Sequence, residues 1–203
     1  MLNFMKNHHL VMLIPAAFLL YFMAFQNTAI FWYMYTFALL LLMSYALLFT
    51  KIFDELPTWK SMVFGLGYGT VIYGLIAGSY QVLQLLPFPI EESISSFLAN
   101  FAPVSIWHYL LLMFIIVPGE EIFWRGYVQQ KLKKYMPVPF AILVSSTLFG
   151  LALGVGGFIP GMLAGAAAGI ILGALYEWKR SMPLLIITHL VMVVLLFLVK
   201  PLQ

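Results

Sequence analysis

Val117-Pro118-Gly119-Glu120-Glu121-Ile122-Phe123-Trp124-Arg125-Gly126-Tyr127 sets three charges inside an apolar run, Ser105–Val128, of the length that crosses a membrane. A helix needs about 17–25 apolar residues to span ~30 Å of hydrocarbon. A charge deep in such a helix costs at least ~2.5–3.5 kcal/mol on insertion scales, so Glu120, Glu121 and Arg125 are functional candidates by position alone. Lys131, Lys133 and Lys134 mark the polar end of the run. At 1.5 Å per residue Glu120 lies ~15 Å in from that end, too deep for a glutamate to reach water.

The rest of the chain agrees with a membrane setting. Of its 203 residues, 64% are hydrophobic and 8% charged, against about 45–50% and about 25% in soluble domains. That excludes a water-soluble, a disordered and a collagen-like chain. The apolar stretches are unbroken rather than alternating, which predicts helices and not a barrel. The expected spans are Leu10–Phe25, Thr28–Phe49, Met62–Leu86, Ser105–Val128, Phe140–Leu153, Pro160–Tyr176 and Pro183–Val199. The fold expected is therefore an all-α polytopic bundle of about seven transmembrane helices, forming one domain over 1–203. Spans one to three occupy 1–104, and the remaining four form a core over 105–203. The first span is marginal and the fifth short, so tilting, kinking or partial crossing is expected there. Lys6 before span one gives it the look of a signal peptide, but no small-x-small cleavage site follows, which predicts a retained anchor.

Charge sets the expected orientation. Lys6, Lys51, Lys60, Lys131, Lys133, Lys134, Lys179 and Arg180 fall on one side of a seven-span chain; Lys200 falls on the other, with Glu91 and Glu92. By the positive-inside rule the N-terminus is cytoplasmic. The net charge of +3 is thus a topology signal and predicts no nucleic-acid partner. The loop Pro87–Pro103 reads equally as a short interfacial helix or a plain connector. Gly161, Gly165, Gly169 and Gly173 recur every four residues, a side-chain-free ribbon for close helix packing, with shorter versions at Gly65/Gly69 and Gly74/Gly78. The ribbon is compatible with packing within one bundle or in a homo-oligomer.

Spacing separates the charges. Glu121 and Arg125, at i and i+4, share a helix face and can pair. Glu120 sits ~100° around the helix with no sequence-local partner; a carboxylate in such surroundings suits general-base work. Among the histidines, His8 and His9 precede span one, and His108 is ~18 Å from Glu120 along the helix. His189, six residues past Pro183 in span seven, can face Glu120 if those helices pack together. With no cysteine and no HExxH, no metal site or cofactor is expected. The single aspartate, Asp54, lies in a loop beside Glu55 and supports no Ser-His-Asp triad. Charges in one half only argue against a transporter.

Glu120-Glu121-x-x-x-Arg125 within a membrane helix resembles the first motif of the CAAX-protease and bacteriocin-processing (CPBP) family, intramembrane endopeptidases related to the type II CAAX prenyl endopeptidase. The order of spans four to seven is similar too, through Ser145-Ser146-Thr147-Leu148-Phe149-Gly150 and the glycine-rich sixth span to Thr188-His189. The resemblance implies Glu120 as the base that activates water, Glu121 and Arg125 as its supports, and His189 as an oxyanion donor. Two positions depart from the pattern. Leu153 stands where a histidine is expected after Phe149, and Val193 where a polar residue is expected after His189. General acid–base groups typically contribute 10²–10⁴-fold and an oxyanion donor about 10²–10³-fold. The expectation is a degenerate member, a pseudoprotease that binds, regulates or scaffolds a membrane protein or membrane-associated peptide. The alternative is an active endopeptidase with Glu120 as base. The resemblance also suggests a multi-pass protein of a bacterial plasma membrane.

Overall fold

The computed structural model describes residues 9–85 and 90–199; Lys6, His8, Leu86, Pro87 and Lys200 lie outside them. The elements are α1 (His9–Phe25), α2 (Phe31–Phe49), α3 (Thr58–Leu83), α4 (Ile90–Phe101), α5 (Ile106–Leu132), α6 (Val138–Gly154), α7 (Ile159–Lys179) and α8 (Met182–Val194), the last continued by a π-helical turn at Leu195–Val199. Among the described residues there is no strand, only an isolated bridge between Asp54 and Ser181. The chain is an all-helical protein of membrane type. Four helices, α2, α3, α5 and α7, are long and apolar enough to cross a membrane; α1, α6 and α8 are apolar but shorter. The short first and fifth spans of the sequence reading are α1 and α6, each 17 residues.

Polar contacts gather the basic loops at one end. Arg180 Nε meets Glu55 Oε1 at 2.6 Å, and Lys133 Nζ meets Glu177 Oε2 at 2.6 Å. The Ser181 hydroxyl donates to Asp54 (3.0 Å), so the single aspartate ties two loops together. The opposite end is closed by aromatic rings. α4 is a helix and not a plain connector, and its Phe97 stacks on Phe158 at 4.0 Å while Phe101 packs on Phe25 and Phe31. Glu91 and Glu92 are exposed in its first turn.

Glycines set the closest helix contacts. On α7, a Cβ at Gly165 would lie 2.6 Å from Leu153 Cδ1, one at Gly169 3.0 Å from Ser146 Cβ, and one at Gly173 2.6 Å from Gln129 Oε1. These three ribbon positions are filled from within the chain. On α3, a Cβ at Gly69 would lie 2.6 Å from the Thr188 carbonyl oxygen of α8, whereas one at Gly74 meets nothing within 4 Å. Gly69→Ala is therefore expected to destabilise by about 1–3 kcal/mol, since backbone cannot yield as a side chain does. Gly74→Ala is expected to stay within about 0.5 kcal/mol of the wild type. Thermal unfolding in detergent checks the pair, and equal midpoints would refute the α3–α8 contact.

Candidate functional site

The site grows from a deformation of α5. Pro118 lacks an N–H to donate and its ring crowds the preceding turn, so an α-helix cannot pass through it unchanged. Here the short α-helical piece Val117–Glu121 is flanked by wider π-helical stretches, Leu112–Ile116 and Ile122–Gln129. Such widened turns recur at functional sites because they re-aim side chains. Gly119 then admits α2: a Cβ there would lie 3.1 Å from Leu39 Cβ. Tyr35, one turn before Leu39 on the same face of α2, is thereby brought onto Glu120.

From the other side comes α8. Ser181 caps its first turn by accepting from the Leu184 N–H, and the Thr188 hydroxyl donates to the Leu184 carbonyl at 2.8 Å. The Gly69 contact seats this helix against α3, and His189 then faces the two glutamates. His189 Nδ1 lies 2.7 Å from Glu121 Oε1, and Nε2 lies 3.9 Å from Glu120 Oε2. Arg125 Nη1 donates to the same Glu121 oxygen at 2.9 Å. The expected Glu121–Arg125 pair is present. Glu120, which has no sequence-local partner, takes one from another helix: the Tyr35 hydroxyl donates to Glu120 Oε1. That partner is 85 residues away in sequence, out of reach of any helix-spacing argument.

An ionised carboxylate only accepts, so the Glu121 contact places the proton of a neutral His189 ring on Nδ1. Nε2 then presents a lone pair toward Glu120, and it donates only when the ring carries a second proton. Exposure divides the cluster. Glu121 and Arg125 are 0% and 1% exposed, while Glu120 and His189 each keep 6%. All four are buried, the second pair slightly less so.

The remaining expected residues take other places. Leu153 Cδ1 fills the notch at Gly165. Val193 is buried in an apolar cluster with Ile72, Val117 and Leu172. Ser145 donates to the Ile142 carbonyl, and Ser146 borders Gly169 beside Arg125. The Arg125 guanidinium also lies over the Phe149 ring, 4.5 Å from its centroid. His108 stacks on Trp32 at 4.7 Å, and His9 packs against Tyr45 and Phe49. Among the described residues, no three His, Cys, Asp or Glu side chains are placed to hold a metal ion.

The family model described as type II CAAX prenyl endopeptidase Rce1-like matches residues 102–195. That stretch is similar to the Rce1-like family. It contains Glu120, Glu121, Arg125, Leu153, His189 and Val193, and it covers slightly under half of the chain. No curated protein and no solved structure matches the chain. The Rce1-like stretch excludes α1 and α2, so Tyr35 comes to the site from outside it. The sequence reading found no motif in those spans. A tyrosine among the many apolar aromatics of α2 carries no periodic signal, and only the close approach at Gly119 singles it out.

Proposed function

We propose that this chain is a degenerate CAAX-protease-like membrane protein, whose Glu120–His189 site binds a membrane protein or membrane-associated peptide without cutting it. The observation that carries this reading is the placement of Leu153. Its side chain fills the Gly165 notch, and Val193 lies among aliphatic side chains. Neither can move a proton or stabilise an oxyanion, and each loss of such a group typically costs at least about 10²-fold. The nearby Ser145 hydroxyl is spent on the Ile142 carbonyl. The protein then serves as a regulator or scaffold at a bacterial plasma membrane, with the four long apolar helices and the three shorter ones all crossing it. The gathering of Glu55–Arg180 and Lys133–Glu177 at one end supports the alternating topology, and the excess of lysine there supports a cytoplasmic N-terminus. Self-association through a face other than the filled ribbon is compatible with this role.

A second reading, an active glutamate-type endopeptidase, is favoured by one distance. With Nδ1 held by Glu121, His189 Nε2 stands 3.9 Å from Glu120 Oε2. A water hydrogen-bonded to both atoms would have two bases. The test is to purify tagged wild-type and Glu120→Gln proteins from native membranes after mild crosslinking and to measure the intact masses of what co-purifies. The same full-length partner with both proteins is the expected result. A partner shortened with the wild type and full-length with Glu120→Gln would overturn the degenerate reading, establish proteolysis and give the cut.

A further inference from the structure

Glu120 is the site carboxylate that Arg125 does not pair, and tyrosines of α1 and α2 gather beside it. Trp124 Nε1–H donates to the Tyr21 hydroxyl at 3.1 Å. The Tyr21 and Tyr35 rings meet edge to face, with centroids 5.0 Å apart. The Tyr35 hydroxyl donates to Glu120 Oε1. The Tyr35 hydroxyl spends its one proton on Glu120, and the Trp124 indole N–H, which can only donate, occupies the Tyr21 oxygen. All three aromatic residues are buried, Tyr21 and Trp124 completely. An unpaired hydroxyl at such depth is costly, and a phenylalanine would pack equally well if hydroxyls had no task.

We propose that Tyr35, backed by Tyr21 and Trp124, is the positioning residue for Glu120: its phenol takes one carboxylate oxygen and leaves the other facing His189 Nε2. The phenols supply from α1 and α2 the polar support that Leu153 and Val193 cannot supply from α6 and α8. This deepens the proposed function by adding residues to the same site, and it rests on Glu120 being the group that site presents. It also extends the site beyond residues 102–195. The site is then incomplete without α1 and α2.

The test reads the carboxyl group itself. Dicyclohexylcarbodiimide enters membranes and adds to carboxyl groups in apolar surroundings, and peptide mass analysis locates the adduct. In the full-length protein in its native membrane, Tyr35→Phe is expected to raise the rate of labelling at Glu120 about tenfold, the factor corresponding to loss of one hydrogen bond to a charged group. Tyr21→Phe, which leaves Tyr35 in place, should give a smaller rise. Glu120→Gln, with no carboxyl to modify, fixes the assignment of the label. Unchanged rates in folded Tyr35→Phe and Tyr21→Phe proteins would overturn the proposal. If Tyr35→Phe fails to accumulate, the rate in Tyr21→Phe decides: a rise supports the positioning role and no rise overturns it. Labelling needs neither a partner nor cleavage, so its outcome is independent of whether the co-purifying protein is found intact or cut.

Discussion

Arg125→Ala is expected to leave little or no folded protein in the membrane, whether or not the chain has any catalytic activity. The guanidinium is 1% exposed, donates to a Glu121 carboxylate that is 0% exposed, and lies over the Phe149 ring. Removing one member of a buried ion pair leaves the other charged, desolvated and unpaired, at a cost of about 3–5 kcal/mol. Total stabilities are commonly only about 5–15 kcal/mol. The His189 Nδ1 contact to Glu121 remains, but it supplies one hydrogen bond and not a fixed charge. Arg125→Lys keeps the charge but loses the planar face over Phe149 and should be an intermediate case. Membrane yield and thermal unfolding of the three proteins check this. Normal accumulation of Arg125→Ala with a wild-type midpoint would show that the pair is not structural.

Gly150→Leu should damage the fold on a similar scale by geometry alone. A Cβ at Gly150 would lie 2.5 Å from the Met162 carbonyl oxygen and 2.7 Å from Ala166 Cβ, where α6 and α7 touch. Overpacking typically costs about 1–3 kcal/mol where side chains can shift, and more where backbone is the obstacle. Prising α6 from α7 also disturbs Ser146 at Gly169 and Leu153 at Gly165. The expected outcome is loss of the folded, monodisperse fraction in detergent, with Gly150→Ala less severe. A Gly150→Leu protein that unfolds at the wild-type temperature would refute the close α6–α7 crossing.

The apolar runs made the helices legible in the sequence. Each expected span has a helix whose ends agree to within a few residues, because a membrane leaves a backbone few other ways to satisfy its hydrogen bonds. The Glu121–Arg125 pair was legible for the same kind of reason: four residues on one helix fix a distance. Contacts between helices were not. The expectation that His189 could face Glu120 was right about the neighbourhood, yet the ring's hydrogen bond goes to Glu121. The Tyr35–Glu120 bond depends on Gly119 and on the π-helical turns around Pro118, and neither the depth of a helix crossing nor a change of pitch is written in hydrophobic periodicity. α4 was half legible: a short helix was one of two equal readings of Pro87–Pro103, and the rings of Phe25, Phe31 and Phe158 that receive it were not visible.

The tyrosines beside Glu120 also have a consequence for biogenesis. Chains leave the ribosome N-terminus first, so Tyr21 and Tyr35 are in place before Glu120 is synthesised. Arg125 follows Glu121 within a single turn of the same helix, whereas His189 emerges only 68 residues later. Each buried acid thus meets a first partner that precedes it or accompanies it into the bilayer, and the imidazole closes the cluster last.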